Sequence, residues 1–194
     1  VTTMRMDEGL DTGDMILKEE ITLSEEETGG SLFERLAEVG AKLCVKTLEA
    51  IENGTAVYSP QDHALATHTT IIKKQLGEID WKKSAQEIER LTRGLNPWPS
   101  AYTYLNGKTL KIWRASVVGQ EEADKGKEGL VQPQEPGQME PGCIVQVTKD
   151  SLTVQTGKGR LQLLEVQLEG KKRMSADAFL RGFQIEAGYR LGKE

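Results

Sequence analysis

The side chains best spaced to do chemistry together sit in one short stretch near the start of the chain. Residues 6–15 read Met6-Asp7-Glu8-Gly9-Leu10-Asp11-Thr12-Gly13-Asp14-Met15, with three Asp and one Glu inside eight positions. Val1-Thr2-Thr3-Met4 ahead of it is rich in β-branched residues, and residues 15–21 can form a second strand. Gly9 and Gly13 are placed to supply positive-φ turns, so the carboxylates are expected on a tight loop between strands. Loops held by a rigid sheet often carry catalytic groups. Two plainer readings stand beside this one. Acidic residues between strands also make an ordinary solvated connection. A calcium loop would need the alternating ligands and closing Glu of an EF-hand, which this spacing lacks. His63 and His68 are five apart with no Cys near them, so they are expected as exposed connector residues and no metal site is expected.

Behind the loop, Ser24-Glu25-Glu26-Glu27 has the form of a capping box, with Ser31 as an alternative N-cap. Leu32, Leu36, Val39, Leu43, Leu48 and Ile51 then recur at helical spacing, and charged residues fill the other face until Asn53-Gly54. The expected element is a long amphipathic helix whose apolar stripe packs, and which would promote association if left uncovered. Residues 55–76 read as a connector turning at Pro60-Gln61-Asp62 and ending near Lys73 and Lys74, cations that could follow an RNA backbone or simply face water.

A second capping box, Ser84-Ala85-Gln86-Glu87, opens a helix with Ile88, Leu91 and Leu95 inward and Glu89, Arg90 and Arg93 outward. Asn96-Pro97-Trp98-Pro99 makes a rigid corner. Trp98 is expected there as a core anchor; the alternative is a stacking platform beside Arg90 and Arg93. From Ala101 the pattern alternates, and Asn106-Gly107 between two such runs marks a β-hairpin. Residues 119–141 form a polar insertion, expected to be mobile. Strands are expected at 143–147, 151–155 and 160–168, then the basic run Lys171-Lys172-Arg173 and a closing helix at 175–183. Several short strands with tight turns suggest a small OB-like barrel, and such barrels with basic surfaces often bind nucleic acid.

Bulk properties set limits on these readings. Hydrophobic residues make up 37% of the chain and charged residues 28%, which suits a folded protein rather than a disordered one. No apolar run approaches the roughly 18–20 residues of a membrane span, and the N-terminal residues do not read as a signal peptide. Cys44 and Cys143 are expected to be buried, reduced thiols. Residues 1–72 hold 5 Lys/Arg against 14 Asp/Glu, a balance of −9, whereas residues 73–194 hold 20 against 16, a balance of +4. An acidic front and a basic back suggest two modules with different partners.

The wording of two motifs adds a resemblance. Asp7-Glu8-Gly9-Leu10-Asp11-Thr12-Gly13-Asp14 before a strand is similar to the folate-side loop of formyltransferases that use 10-formyltetrahydrofolate. Ile79-Asp80-Trp81 with Arg93-Gly94-Leu95-Asn96-Pro97-Trp98-Pro99 narrows the match to the methionyl-tRNA formyltransferase family. The resemblance covers nearly the whole chain. It implies the last strands and helix of a Rossmann-like α/β catalytic domain at 1–54, a linker at 55–76, and an OB-like open β-barrel domain with short helices at 77–194. It further implies that the chain is the C-terminal part of a longer, monomeric, cytoplasmic bacterial enzyme with no membrane association, whose partners are initiator methionyl-tRNA and the folate co-substrate. Asp11 matches the family's catalytic Asp, and Asp7, Glu8, Gly9 and Leu10 match its pterin pocket. Lys73, Lys74, Arg90, Arg93, Lys171, Lys172 and Arg173 become candidate tRNA contacts. The catalytic Asn and His of the family have no counterpart in these residues, so the 194-residue chain alone is expected to be inactive. Alternatives are a related folate-dependent enzyme, acting on a sugar nucleotide or being the hydrolase part of formyltetrahydrofolate dehydrogenase, and a stand-alone RNA-binding module.

Overall fold

A computed structural model describes residues 1–119 and 139–193, in two compact units, Val1–Ile71 and Ile72–Glu194. Residues 120–138, most of the insertion expected to be mobile, lie outside the described residues.

In the first unit β1 (Thr2–Met4) pairs antiparallel with β2 (Met15–Lys18), with Thr3 opposite Leu17. Met15 also exchanges both backbone hydrogen bonds with Ser59, at 2.8 and 2.9 Å, so the chain after the long helix returns to the hairpin edge. That helix, α1 (Gly29–Glu52), starts elsewhere than expected: its N-cap is Thr28. The Ser31 N–H donates to Thr28 Oγ1 at 3.1 Å, and the Thr28 N–H donates to Ser31 Oγ at 3.0 Å. Glu27, just ahead of that cap, takes the Arg35 guanidinium and the Ser31 hydroxyl as well as a backbone hydrogen bond from Ser24. The inward face also differs. Leu43 and Thr47 are buried, whereas Leu48 and Ile51 are 61% and 44% exposed. At 3.6 residues per turn the stripe through Leu36, Val39 and Leu43 runs on to Thr47, and Leu48 and Ile51 fall off it. Thr47 belongs there because its hydroxyl has partners, the Leu43 carbonyl at 2.7 Å and the Thr3 hydroxyl at 2.8 Å, which join helix to hairpin.

The second unit begins with the segment holding Ile79 and Trp81, followed by α2 (Ala85–Gly94). The box expected at Ser84 and Glu87 is present. β3 (Ala101–Leu105) and β4 (Lys108–Val117) meet at Asn106-Gly107, both at positive φ (49° and 74°), as a primed hairpin turn requires. β5 (Ile144–Val147), β6 (Leu152–Gln155), β7 (Arg160–Leu168) and β8 (Met174–Ser175) complete an antiparallel sheet, closed off by α3 (Ala176–Gly182). The order is β3-β4-β7-β6-β5 with β8 beside β7, and among the described residues this path is open. Leu110 and Ile112 face the core with Val166 and Leu168, against Ile88 of α2 and Phe179 of α3. The β4–β7 register shifts on both sides of Arg114, a bulge that moves the inward positions from Leu110 and Ile112 to Ala115.

The Ile79-Asp80-Trp81 motif is built into this core. Trp81 is buried and its indole N–H donates to the buried Thr103 hydroxyl at 3.0 Å. The Ile79 N–H reaches the Tyr102 carbonyl, and the Gly157 N–H reaches the Trp81 carbonyl, each at 2.8 Å. A Cβ at Gly157 would stand 1.7 Å from the Lys82 carbonyl oxygen, so only glycine allows this approach. Trp98, expected as a core anchor, is instead 58% exposed. The corner is fixed by its neighbours: Leu95 is buried, its carbonyl takes the Ser100 N–H, and the Asn96 amide donates to the Trp113 carbonyl at 3.2 Å. Of the two thiols expected to be buried, Cys44 is exposed and Cys143 only half-buried.

Candidate functional site

The acidic loop is a built turn. Asp7 Oδ1 accepts the Gly9 N–H at 3.0 Å and the Thr12 hydroxyl at 2.5 Å, and the Arg5 N–H closes the base onto the Asp14 carbonyl at 2.8 Å. Positive φ falls on Asp11 (55°) and on neither Gly9 nor Gly13, contrary to expectation. Those glycines serve close approach instead: a Cβ at Gly13 would lie 1.6 Å from the Arg5 carbonyl oxygen, and one at Gly9 would lie 2.1 Å from Thr12 Oγ1. A short polar residue such as Asp tolerates the left-handed region better than a branched one.

Gln61 holds this turn in place, and sequence reading missed it. Its amide nitrogen donates to the Asp11 carbonyl at 2.9 Å and to the Gly13 carbonyl at 2.6 Å. The Met15–Ser59 bridge delivers Gln61 to the loop from some fifty residues away, and the only sequence sign was the turn Pro60-Gln61-Asp62. Asp11 and Gln61 line an open cleft of 550 Å³ with Met4, Met15 and Lys18. Among the described residues the Asp11 carboxylate has no hydrogen bond or ion pair, leaving it available to orient a donor or accept a proton. Asp7, Glu8, Gly9 and Leu10 share the loop, where Met6 and Leu10 are each 82% exposed. Replacing Gln61 with Ala should cost the loop about 1–3 kcal/mol, two hydrogen bonds' worth. Amide exchange at residues 11–13 should then quicken while α1 keeps its protection, and unchanged exchange at the loop would refute the clamp.

The basic candidates do not converge on one spot. Lys73 and Lys74 are exposed at the start of the second unit. Arg90 is exposed on α2, and Arg93 beside it is ion-paired with Glu89. α2 packs on the core side of the sheet, whereas Arg173 lies on the opposite face, 4.7 Å from the Trp113 ring centre. Arg173 also holds Glu165 through two hydrogen bonds, 2.8 and 2.6 Å, and Lys171 and Lys172 are exposed on the adjoining turn. The Arg173 hydrogen bond keeps the Glu165 carboxyl below the usual carboxylate range, against the opposing effect of burial. A carboxyl depressed in the folded state stabilises the fold above its unfolded value, and that contribution disappears as pH falls through the folded one. Glu165→Gln should therefore flatten the acid limb of the stability–pH curve, measured by urea unfolding. A limb as steep as in the parent would exclude this linkage.

Residues 71–184 match the family model described as formyl transferase, C-terminal domain. The chain belongs to the formyl transferase family. Residues 1–48 match a second model, described as formyl transferase, so both units carry the family's sequence. The methionyl-tRNA formyltransferase of Agathobacter rectalis is 57% identical over 97% of this chain and 56% of its own length. That of Lachnospira eligens is 53% identical over 100% of this chain and 58% of its own length. The chain thus spans little over half the length of the curated relatives it matches. HypX from Aquifex aeolicus shares the fold, with a TM-score of 0.60 at 16% identity over 94% of this chain and 30% of that one. So does WlaRD, a sugar 3N-formyl transferase solved with dTDP and 5-N-formyl-THF, with a TM-score of 0.58 at 17% identity over 88% of this chain and 55% of that one. No helix among the described residues is long and apolar enough to cross a membrane.

Proposed function

We propose that the chain is the C-terminal part of a monomeric, cytoplasmic bacterial methionyl-tRNA formyltransferase, which moves the formyl group of 10-formyltetrahydrofolate onto the amino group of initiator methionyl-tRNA. The observation that carries this reading is the 57% identity to a relative of that name, extending over 97% of the chain and so through both units. In this reading residues 1–54 are the end of the α/β catalytic domain, residues 55–76 a linker, and residues 77–194 an OB-like module that seats the tRNA. The open antiparallel sheet closed by a short helix supports that last assignment.

The loop's exposed apolar side chains and its fixed backbone suit a flat, polar-edged pterin laid along residues 7–10. In the transfer the amine gains a C–N bond to the formyl carbon and gives up a proton, while the folate nitrogen loses its bond to that carbon and regains a proton. Asp11, held at the cleft by Gln61, orients and charge-stabilises an imidazole that shuttles this proton. In this reading that imidazole belongs to the part of the enzyme these 194 residues do not span, since neither His63 nor His68 lines the Asp11 cleft. The isolated chain should therefore give no formyl transfer above background, and the full-length enzyme should formylate initiator methionyl-tRNA in preference to an amino-sugar nucleotide. A full-length enzyme that preferred the sugar nucleotide would sink this reading.

A further inference from the structure

The outward face of the sheet carries a row that the sequence pattern did not single out. Tyr102 stands opposite Lys111 and Tyr104 opposite Thr109 in the β3–β4 ladder, and Lys111 stands opposite Gln167 in the β4–β7 ladder. These are the half-buried partners of the core residues, so they share the face turned away from the core. Trp113 follows Lys111 by two positions on β4, at the end of this row and past the last β3–β4 pair, Ala101 with Ile112. Its backbone is in the β4 bulge, and its carbonyl is satisfied by Asn96. Bulges re-aim side chains in this way. The indole N–H donates to Gln167 Oε1 at 3.2 Å, and Gln167 passes the link on to the Lys171 carbonyl at 3.0 Å. The ring therefore has a fixed orientation, with Lys111 Nζ 5.6 Å from its centre and Arg173 4.7 Å away.

The charges beside this row are uneven. Glu165 is matched by Arg173 and Glu78 by Lys193, and Glu169 accepts the Thr109 N–H at 3.0 Å, while the three lysines Lys111, Lys171 and Lys172 have no ion-pair partner among the described residues. An oriented indole beside Lys111, with Lys171 and Lys172 on the adjoining turn, fits a polyanion that also offers aromatic faces. We propose that this face, centred on Trp113, is a stacking platform for an unpaired RNA nucleotide, with Lys111, Lys171 and Lys172 holding the neighbouring phosphates. The proposal rests on the reading of the second unit as a tRNA seat, and it identifies which surface does the seating. Lys111 and Trp113 then act together, whereas the cations of α2, on the other side of the sheet, play no part in the stacking.

The test uses the 194-residue chain labelled with ¹⁵N at its three tryptophans, Trp81, Trp98 and Trp113, so that each indole gives its own NMR signal. A single-stranded oligoribonucleotide at low salt should move the Trp113 signal and leave buried Trp81 still. Trp113→Ala should weaken binding by about 5- to 100-fold, as loss of one stacked base would. Lys111→Gln, which leaves the core untouched, should lower the salt slope by about 0.7, one phosphate contact on a single strand. A shift at Trp98 with Trp113 silent, an equal response to an RNA duplex, or no response at all would each overturn the platform. Intact tRNA binding with Trp113 silent would also overturn it, yet leave the tRNA-seat reading standing. Failure of that broader reading shows separately, in the acceptor preference of the full-length enzyme.

Discussion

Asp11→Asn in the full-length enzyme is expected to lower the turnover of formyl transfer by about 10²- to 10⁴-fold, the range for losing a positioned acid–base group. The Michaelis constant for the formyl donor should stay within a few-fold. Asn is the informative replacement because Asp11 sits at φ 55°, where Asn is also at ease, so the turn and its Gln61 clamp survive. Only the charge is removed. Asp11→Ala would confound the result by straining the backbone. If Asp11→Asn retained parental turnover, the carboxylate would have no part in the proton traffic, and the loop would be reduced to a binding surface.

The second large effect is structural. Trp81→Ala should destabilise the second unit by about 3–5 kcal/mol, as large aromatic-to-alanine changes in cores do. Trp81 is 5% exposed and packs in the cluster with Ile79, Ile88 and Leu191. The substitution would also leave the Thr103 hydroxyl, itself 1% exposed, without its donor. Trp81→Phe separates the two contributions, since it keeps most of the packing and loses the hydrogen bond, for about 1–3 kcal/mol. Equilibrium unfolding in urea measures both. A loss below about 1 kcal/mol for Trp81→Ala, the level of a surface substitution, would mean that this motif does not anchor the fold.

What could be read from the sequence was mostly local. The box at Ser84 and Glu87 and the Asn106-Gly107 turn depend on residues within three positions of each other, and both formed as expected. The start of α1 was harder, because Ser24-Glu27 and Thr28-Ser31 offer the helix two similar caps, and it is Ser31, bonded both to Thr28 and to Glu27, that closes the box at the helix start. Leu48 and Ile51 looked inward by hydrophobicity, yet Thr47 takes the place because a threonine hydroxyl can be satisfied within a helix.

The acidic loop was legible in composition and obscure in construction. Its acids were evident, but the positive φ at Asp11 and the clamp from Gln61 arise from a long-range pairing that no local pattern encodes. Trp113 was hidden for a related reason. It reads as one more alternating residue of a strand, and the bulge, Arg173 and Gln167 that make it distinctive all depend on the register of β4 and β7.

The most direct test of the tRNA-seat claim is a titration of initiator tRNA into the 194-residue chain at low and moderate salt. Binding by the basic second unit should be measurable at low salt without the catalytic centre, and should weaken steeply as salt rises, because released counterions drive it. Absence of binding at low salt, or binding indifferent to salt, would contradict the account and move tRNA recognition away from this chain.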